Sequence, residues 1–296
     1  MSFVKLDDGH RPASTEVFLD TSIHCCFHKG ETLRPRLNWL LALFPWKGSS
    51  TYSKVEYGNV ILATAQYYLR KLRELKSVAR LQEHISHVLP PQHREYRTWA
   101  FSLIPTLART EKERTRRADA SLRRLLKLGT QAVDARCDAP LADGTRCHWG
   151  KTGLQRKRNG EHVWKTPNCK ACNKACNVDG FFAEHRESFQ SIKCEIDALG
   201  ADLLTDELKQ FSRVIGEALA DPSVLLDYDR GCKLLADAII AVDGKDYRSF
   251  VTQNYKESRV LTKVLGQRCY YLPNNPEQGV SLLERDGAGA PESPGV

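Results

Sequence analysis

The sequence predicts an α/β core built on a parallel sheet and interrupted by a helical and zinc-binding insertion. Three observations carry that expectation. Short apolar runs at residues 16–19, 249–252 and 268–272 have strand length and composition. They stand toward the two ends of the chain, separated by long stretches with helical periodicity. Between residues 136 and 177 the texture changes to Cys, Gly, Asn and Lys with little periodicity, as in a small module held by metal.

The elements follow in order. Residues 1–14 read as a loose arm. The strand at Glu16–Leu19 runs into Asp20, Thr21 and Ser22, and a helix-like stretch surrounds residues 36–41. A polar break at 48–51 supplies an N-cap signal beside Tyr52. From there to Val88 the pattern is helical, with Val60, Ile61, Ala63, Ala65, Tyr68, Leu69, Leu72 and Leu75 supplying apolar positions, until Pro90 and Pro91 end it. A second helical region spans 97–128, and residues 105–130 carry eight basic against three acidic side chains. Beyond the cysteine-rich part, helices are expected at 184–199, 205–220, 231–242 and 256–265, with strands at 249–252 and 268–272. The predicted division is therefore a core at 15–130 and 181–283, an insert at 131–180, and a disordered Gly-, Pro- and Ser-rich tail at 284–296.

Composition narrows the class. A chain of 296 residues has room for one large domain or a domain with a substantial insert. No apolar run approaches the length of a membrane span, and the first residues lack the apolar core of a secretory leader, so the expectation is a cytoplasmic protein with no membrane contact. In that compartment ten cysteines argue for zinc rather than disulfides. The net charge of +8 favours an anionic partner.

The cysteines have a plausible ligand spacing. Cys137 and Cys147 are separated by nine residues, with Pro140 and Asp143-Gly144 between them as in a hairpin, and Cys169 and Cys172 form a Cys-x-x-Cys knuckle. Four thiolates would close a structural Zn²⁺ site; Cys176, His148 and the more remote His185 are substitute ligands. Arg156-Lys157-Arg158 is a basic run flanked by Trp149 and Trp164, which either stack on bases or form the miniature core of the module. The insert and the Arg-rich helix together suggest a substrate-holding surface, with a solvated charge face as the alternative.

Three carboxylates carry the chemical argument. Asp20 ends a strand, Glu56 lies at the start of a long helix, and Asp237 interrupts the apolar run 234–241. A buried carboxylate needs a positive partner, either an arginine or a hard divalent cation. The segments Val17-Phe18-Leu19-Asp20-Thr21-Ser22, Thr51-Tyr52-Ser53-Lys54-Val55-Glu56-Tyr57, Ala236-Asp237-Ala238-Ile239-Ile240-Ala241 and Phe250-Val251-Thr252-Gln253-Asn254 resemble, in order and placement, the motifs of PIN-domain nucleases. The resemblance implies a three-layer core with Asp20, Glu56 and Asp237 as ligands of catalytic Mg²⁺ or Mn²⁺. Asn254 falls where many such proteins carry a fourth aspartate, and Asp227 and Asp229 are lesser candidates to replace it. Thr21, Ser22 and Thr252 would orient ligands or phosphate oxygens, or serve as caps. The implied activity is metal-assisted hydrolysis of phosphodiester bonds in RNA or single-stranded nucleic acid, RNA being favoured. The alternatives are an inactive PIN-like nucleic-acid-binding or regulatory protein, and an interaction protein whose insert docks a protein partner. Small PIN proteins often act as toxins with an antitoxin, but no partner motif is visible here. Cys25 and Cys26, beside His24 and His28, read as helix packing rather than as a nucleophile.

Overall fold

Phe18 points to one side of its strand while Val17 and Leu19 point to the other, as the two-residue period of a strand requires. All three are fully buried, which is the signature of a strand covered on both faces. This strand lies inside the main sheet of the computed structural model, which describes residues 3–6, 11–12, 14–28, 33–88, 103–104, 110–147, 149–165, 176–227, 231–275 and 278–283.

In chain order the strands are β1 (Phe3–Lys5), β2 (Glu16–Leu19), β3 (Trp46–Gly48), β4 (Leu154–Arg156), β5 (His162–Trp164), β6 (Ser249–Thr252), β7 (Arg268–Tyr271) and β8 (Ser281–Leu283). Six of them form one mixed, mostly parallel sheet in the order β1-β8-β7-β6-β2-β3, and β4 and β5 form a separate hairpin. β2 pairs in parallel with both β3 and β6, and β6 with β7; β8 is antiparallel to β7 and β1. The expected parallel α/β core is therefore present, and β2, β6 and β7 fall where the sequence placed strands. The arm does not stay loose: Phe3–Lys5 joins the sheet edge.

The helices are α1 (Thr21–Cys26), α2 (Arg34–Ala42), α3 (Thr51–Tyr57), α4 (Ala63–Leu75), α5 (Val78–Glu83), α6 (Glu111–Leu128), α7 (Gln131–Asp134), α8 (Trp149–Thr152), α9 (Val178–Glu184), α10 (Arg186–Asp197), α11 (Asp206–Ala220), α12 (Ala236–Asp243) and α13 (Tyr255–Val264). Caps set several of their starts. Ser50 accepts from the Tyr52 amide ahead of α3, Thr110 from Glu113 ahead of α6, and Thr205 from Leu208 ahead of α11. Between α3 and α4 lies a π-helical turn, Gly58–Leu62, so that residues 51–75 run on as one helix.

Side-chain alternation in the sheet sorts the core into layers. Phe18 and Phe250 stack at 6.1 Å on one face and join Phe181, Phe189, Ile239 and Leu261. Val17, Leu19 and Val251 face the other way, onto Ile23, Leu37 and Leu40. Helices cover both faces, an arrangement compatible with a three-layer α/β fold. A third cluster, including Tyr57, Ile61, Tyr68, Leu122 and Trp164, joins the long helix to α6 and the hairpin.

Two expected elements are redrawn. The helix foreseen from residue 231 begins at Ala236. Gly231 is pressed against the 3₁₀ turn Pro222–Leu226, where an added Cβ would lie 2.4 Å from the Val224 carbonyl; Gly231 and Cys232 are π-helical, and residues 233–235 turn before the α-helix starts. Asp237 consequently sits in a first helical turn. The segment between Cys137 and Cys147 is not a hairpin but a strap along the core. The Asp138 amide donates to Lys47 O at 2.8 Å, Thr51 N to Ala142 O at 2.7 Å, and Ala142 N to Ser49 O at 2.9 Å. Lys54 of α3 pairs with Asp134 at 2.6 Å and fastens the same region.

Candidate active site

The carboxyl end of β2 delivers Asp20 to the sheet edge, where it caps α1 by accepting from Thr21 N at 2.7 Å. Its second oxygen accepts from Ser22 Oγ at 2.5 Å and from Thr252 Oγ1 at 2.8 Å. Thr252 ends the neighbouring parallel strand β6, so two strand ends converge on one carboxylate, at the edge where open α/β sheets gather ligands. Glu56 arrives from α3, and its Oε2 accepts from Thr21 Oγ1 at 2.7 Å. Asp237 comes from the first turn of α12, and its Oδ2 accepts from Asn254 Nδ2 at 2.7 Å. Asn254, immediately before α13, donates its own amide to Thr252 Oγ1 at 2.8 Å.

These four residues line one cleft of about 230 Å³, together with Thr21 and Ser22. The residues that the sequence singled out at four separate places are thus brought to a single site. Asp20 is buried, and Glu56, Asp237 and Asn254 are half-buried. Cys25, expected near the site, also borders the cleft, as do Val60 and Gln253, whose part in it was not foreseen. Gln253 was legible in principle, since it lies between Thr252 and Asn254 on a strand end; its amide donates to Ser22 Oγ at 2.9 Å.

The electrostatics of the cleft are those of buried, mutually repelling carboxyl groups. Burial raises the Asp20 carboxyl against the pull of its hydroxyl and amide donors. Burial, then Asp237 and Asp20, holds Glu56 well above the usual glutamate range. Burial, then Asp20 and Glu257, pushes Asp237 up to about 7, although the Asn254 amide lowers it. No Lys or Arg among the described residues shifts these three carboxylates, so the arginine ion pair weighed for Asp237 is not formed with any described residue. A hard divalent cation fits the donor set: oxygen ligands, mutual repulsion and access from a cleft. The fit is one of chemistry rather than of a finished cage. Among the described residues no group of three or more His, Cys, Asp or Glu side chains is already arranged to hold a metal ion.

The neighbouring histidines are structural. His24 Nε2 lies 2.9 Å from Ser49 Oγ, and burial lowers its pKa to about 3. His28 Nε2 lies 2.7 Å from the Tyr57 hydroxyl, with its pKa lowered to about 4, again first by burial. Arg136 covers the Phe27 ring at 4.2 Å. Asp227 does not border the cleft, and Asp229 lies outside the described residues.

Of the expected zinc ligands, Cys169, Cys172 and His148 lie outside the described residues. Cys147 is buried in the core with Val178 and Phe181, and Cys176 packs against the same cluster. Cys137 is half-buried, its thiol pushed up to about 12, chiefly by burial. His185 packs on Phe181, with ring centroids 4.5 Å apart, and its Nδ1 meets Lys245 Nζ at 3.1 Å. Trp164 is a core residue, its Nε1 donating to Asn59 Oδ1 at 2.9 Å, and Trp149 is half-buried with its Nε1 on Lys165 O.

Among the described residues no helix is long and apolar enough to cross a membrane. No protein-family model, curated protein or solved structure matches this chain.

Proposed function

We propose that this protein is a PIN-like, metal-dependent phosphodiesterase that hydrolyses RNA or another single-stranded nucleic acid. The observation that carries the reading is the convergence of Asp20, Glu56, Asp237 and Asn254, from two strand ends and two helices, on one cleft whose three carboxylates meet no Lys or Arg among the described residues.

In this reading Asp20, Glu56 and Asp237 hold Mg²⁺ or Mn²⁺, which when bound supplies a water of lowered pKa and charge stabilisation at the phosphate. The remaining work belongs to the chain. Ser22 and Thr252 fix the position of Asp20 and pull its pKa down against burial, and Thr21 does the same for Glu56. Asn254 holds Asp237 with its amide nitrogen. Without a cation, burial first and then repulsion favour the protonated forms, with Asp237 and Asp20 raising Glu56 and Asp20 raising Asp237. The cysteines of residues 137–176 are assigned to a structural Zn²⁺, a reading that rests on their spacing.

A second reading, an inactive nucleic-acid-binding protein of the same ancestry, draws on one observation. Asn254 contributes no charge and occupies an oxygen of Asp237. Cleavage of labelled single-stranded RNA and DNA with Mn²⁺, Mg²⁺ or EDTA separates the two. Metal-dependent cutting that disappears in Asp20→Asn supports the enzyme; binding without cutting under every metal supports the binder.

A further inference from the structure

The sequence placed its basic residues in two distant runs, one on a helix and one in the insert. The fold brings members of both to a single cavity. The hairpin β4–β5 lies against α4 and α6 and encloses a cavity of about 490 Å³. Arg73 comes from α4, Arg123 and Lys127 from α6, and Arg156 from the hairpin; the one carboxylate on the lining is Glu161.

The pairing inside this cavity is unequal. Arg73 bonds Glu161 at 2.6 Å, and Arg123 bonds Asp119 at 2.6 Å. Lys127 and Arg156 are exposed, and neither has an acidic partner among the described residues. Two cationic heads from different elements therefore border one concavity with their charge unspent. Asn159 and His162 add polar atoms to the same lining. A solvated charge face would leave such side chains splayed over a convex surface; here they surround a recess large enough for a phosphate and its sugar.

We propose that this cavity binds a backbone phosphate of the nucleic-acid strand, at a distance from the acidic cleft. The proposal rests on the reading of the preceding section for the identity of the ligand. The two sites share a support. Glu56 and Arg73 stand on the same helical run, 17 residues apart, or roughly 25 Å along its axis. A stacked strand covers that span in on the order of seven nucleotides at about 3.4 Å each. The hairpin is fixed to this helix by Trp164, whose indole bonds Asn59 and whose amide donates to Gln66 Oε1 at 2.8 Å. Lys127 and Arg156 thus act as a remote phosphate clamp that sets affinity for long strands, while the cleft acts on the bond.

The test uses the full chain and two double variants, Lys127→Ala/Arg156→Ala and, as a control of equal charge on α11, Lys209→Ala/Arg213→Ala. Affinity for a labelled single-stranded RNA of about 20 nucleotides is measured in EDTA across a salt series, and hydrolysis of bis(p-nitrophenyl) phosphate is measured with Mn²⁺. The clamp variant is expected to bind RNA about tenfold more weakly and to flatten the log K against log salt slope by about 1.4, two phosphates' worth for a single strand. The control variant keeps both, and all three proteins hydrolyse the small diester equally. RNA affinity and slope in the clamp variant equal to the control's would overturn the proposal, as would a wild-type chain that binds poly-glutamate but no RNA. Loss of RNA affinity in the clamp variant with no diester hydrolysis by any form keeps the phosphate site and removes the nuclease reading. Hydrolysis by all forms with unchanged RNA affinity does the reverse.

Discussion

The Thr21 hydroxyl donates to Glu56 Oε2 at 2.7 Å, joining the first residue of α1 to α3 across 35 positions of chain. It is the only side-chain hydrogen bond to that carboxylate among the described residues, and it holds the oxygen toward the cleft. Thr21→Val keeps the branched shape and deletes the hydroxyl. Loss of a bond that orients a metal ligand is expected to weaken Mn²⁺ binding by about 10–100-fold. Calorimetric titration of Mn²⁺ into both proteins measures this; equal affinities would remove Thr21 from the positioning of the site.

Protonation and metal should compete for the cleft. An Asp whose folded-state pKa lies above its unfolded value stabilises the fold when protonated. For Asp237 that contribution is complete below the ordinary 3.8 and is lost as pH rises through about 7. Asp20 and Glu56 are shifted in the same direction. In EDTA, Tm is therefore expected to fall by at least about 3 °C between pH 5 and pH 8, and saturating Mn²⁺ to restore it at pH 8. A flat profile in EDTA, with no effect of Mn²⁺, would contradict the electrostatic account of the cleft.

Asn254→Asp places a fourth carboxylate beside Asp237, replacing a donor that now sits 2.7 Å away. In EDTA this variant should melt below the wild type, because two carboxylates share a site with no donor between them. With Mn²⁺ the order should invert, and the metal-induced rise in Tm should exceed that of the wild type. Thermal melts of both proteins with and without Mn²⁺ decide it.

Gly58→Ala should destabilise the protein even though alanine is the better helix former. A Cβ at this position would stand 2.2 Å from the Trp164 ring, inside the contact that seats the hairpin on the long helix. Overpacking of this kind costs about 1–3 kcal/mol. Urea denaturation gives the number, and the pair Gly58→Ala/Trp164→Leu should recover part of it by making room.

The candidate site was legible because each part has a local mark. Asp20 closes a run of fully buried apolar residues, Ser50 caps the helix that carries Glu56, and Asp237 is a carboxylate in an apolar sequence. The strands β2 and β6 were legible for the same reason, being covered on both faces. β1, β3 and β8 were not: each is three residues long, and partners rather than periodicity define it. The start of α12 was misplaced because the turn before it depends on Gly231 meeting the Val224 carbonyl, a contact between separate turns. The insert and the Arg-rich helix were expected to share a surface, but not the cavity that joins them. Its arginines are plain in the sequence, but their meeting depends on where Trp164 docks.

The π-helical turn Gly58–Leu62 sets a phase. It accommodates an extra residue between Glu56 and the rest of the long helix, so the angular offset between the carboxylate and Arg73 depends on that turn staying wide. Removing a single residue there would tighten it to an ordinary helix and rotate everything downstream by about 100° about the axis. Glu56 would still face its cleft, while Arg73 and the seat of the hairpin would swing away from α6. One deleted codon in this turn would therefore separate two surfaces that the substitutions in the cleft and at Lys127 and Arg156 leave aligned.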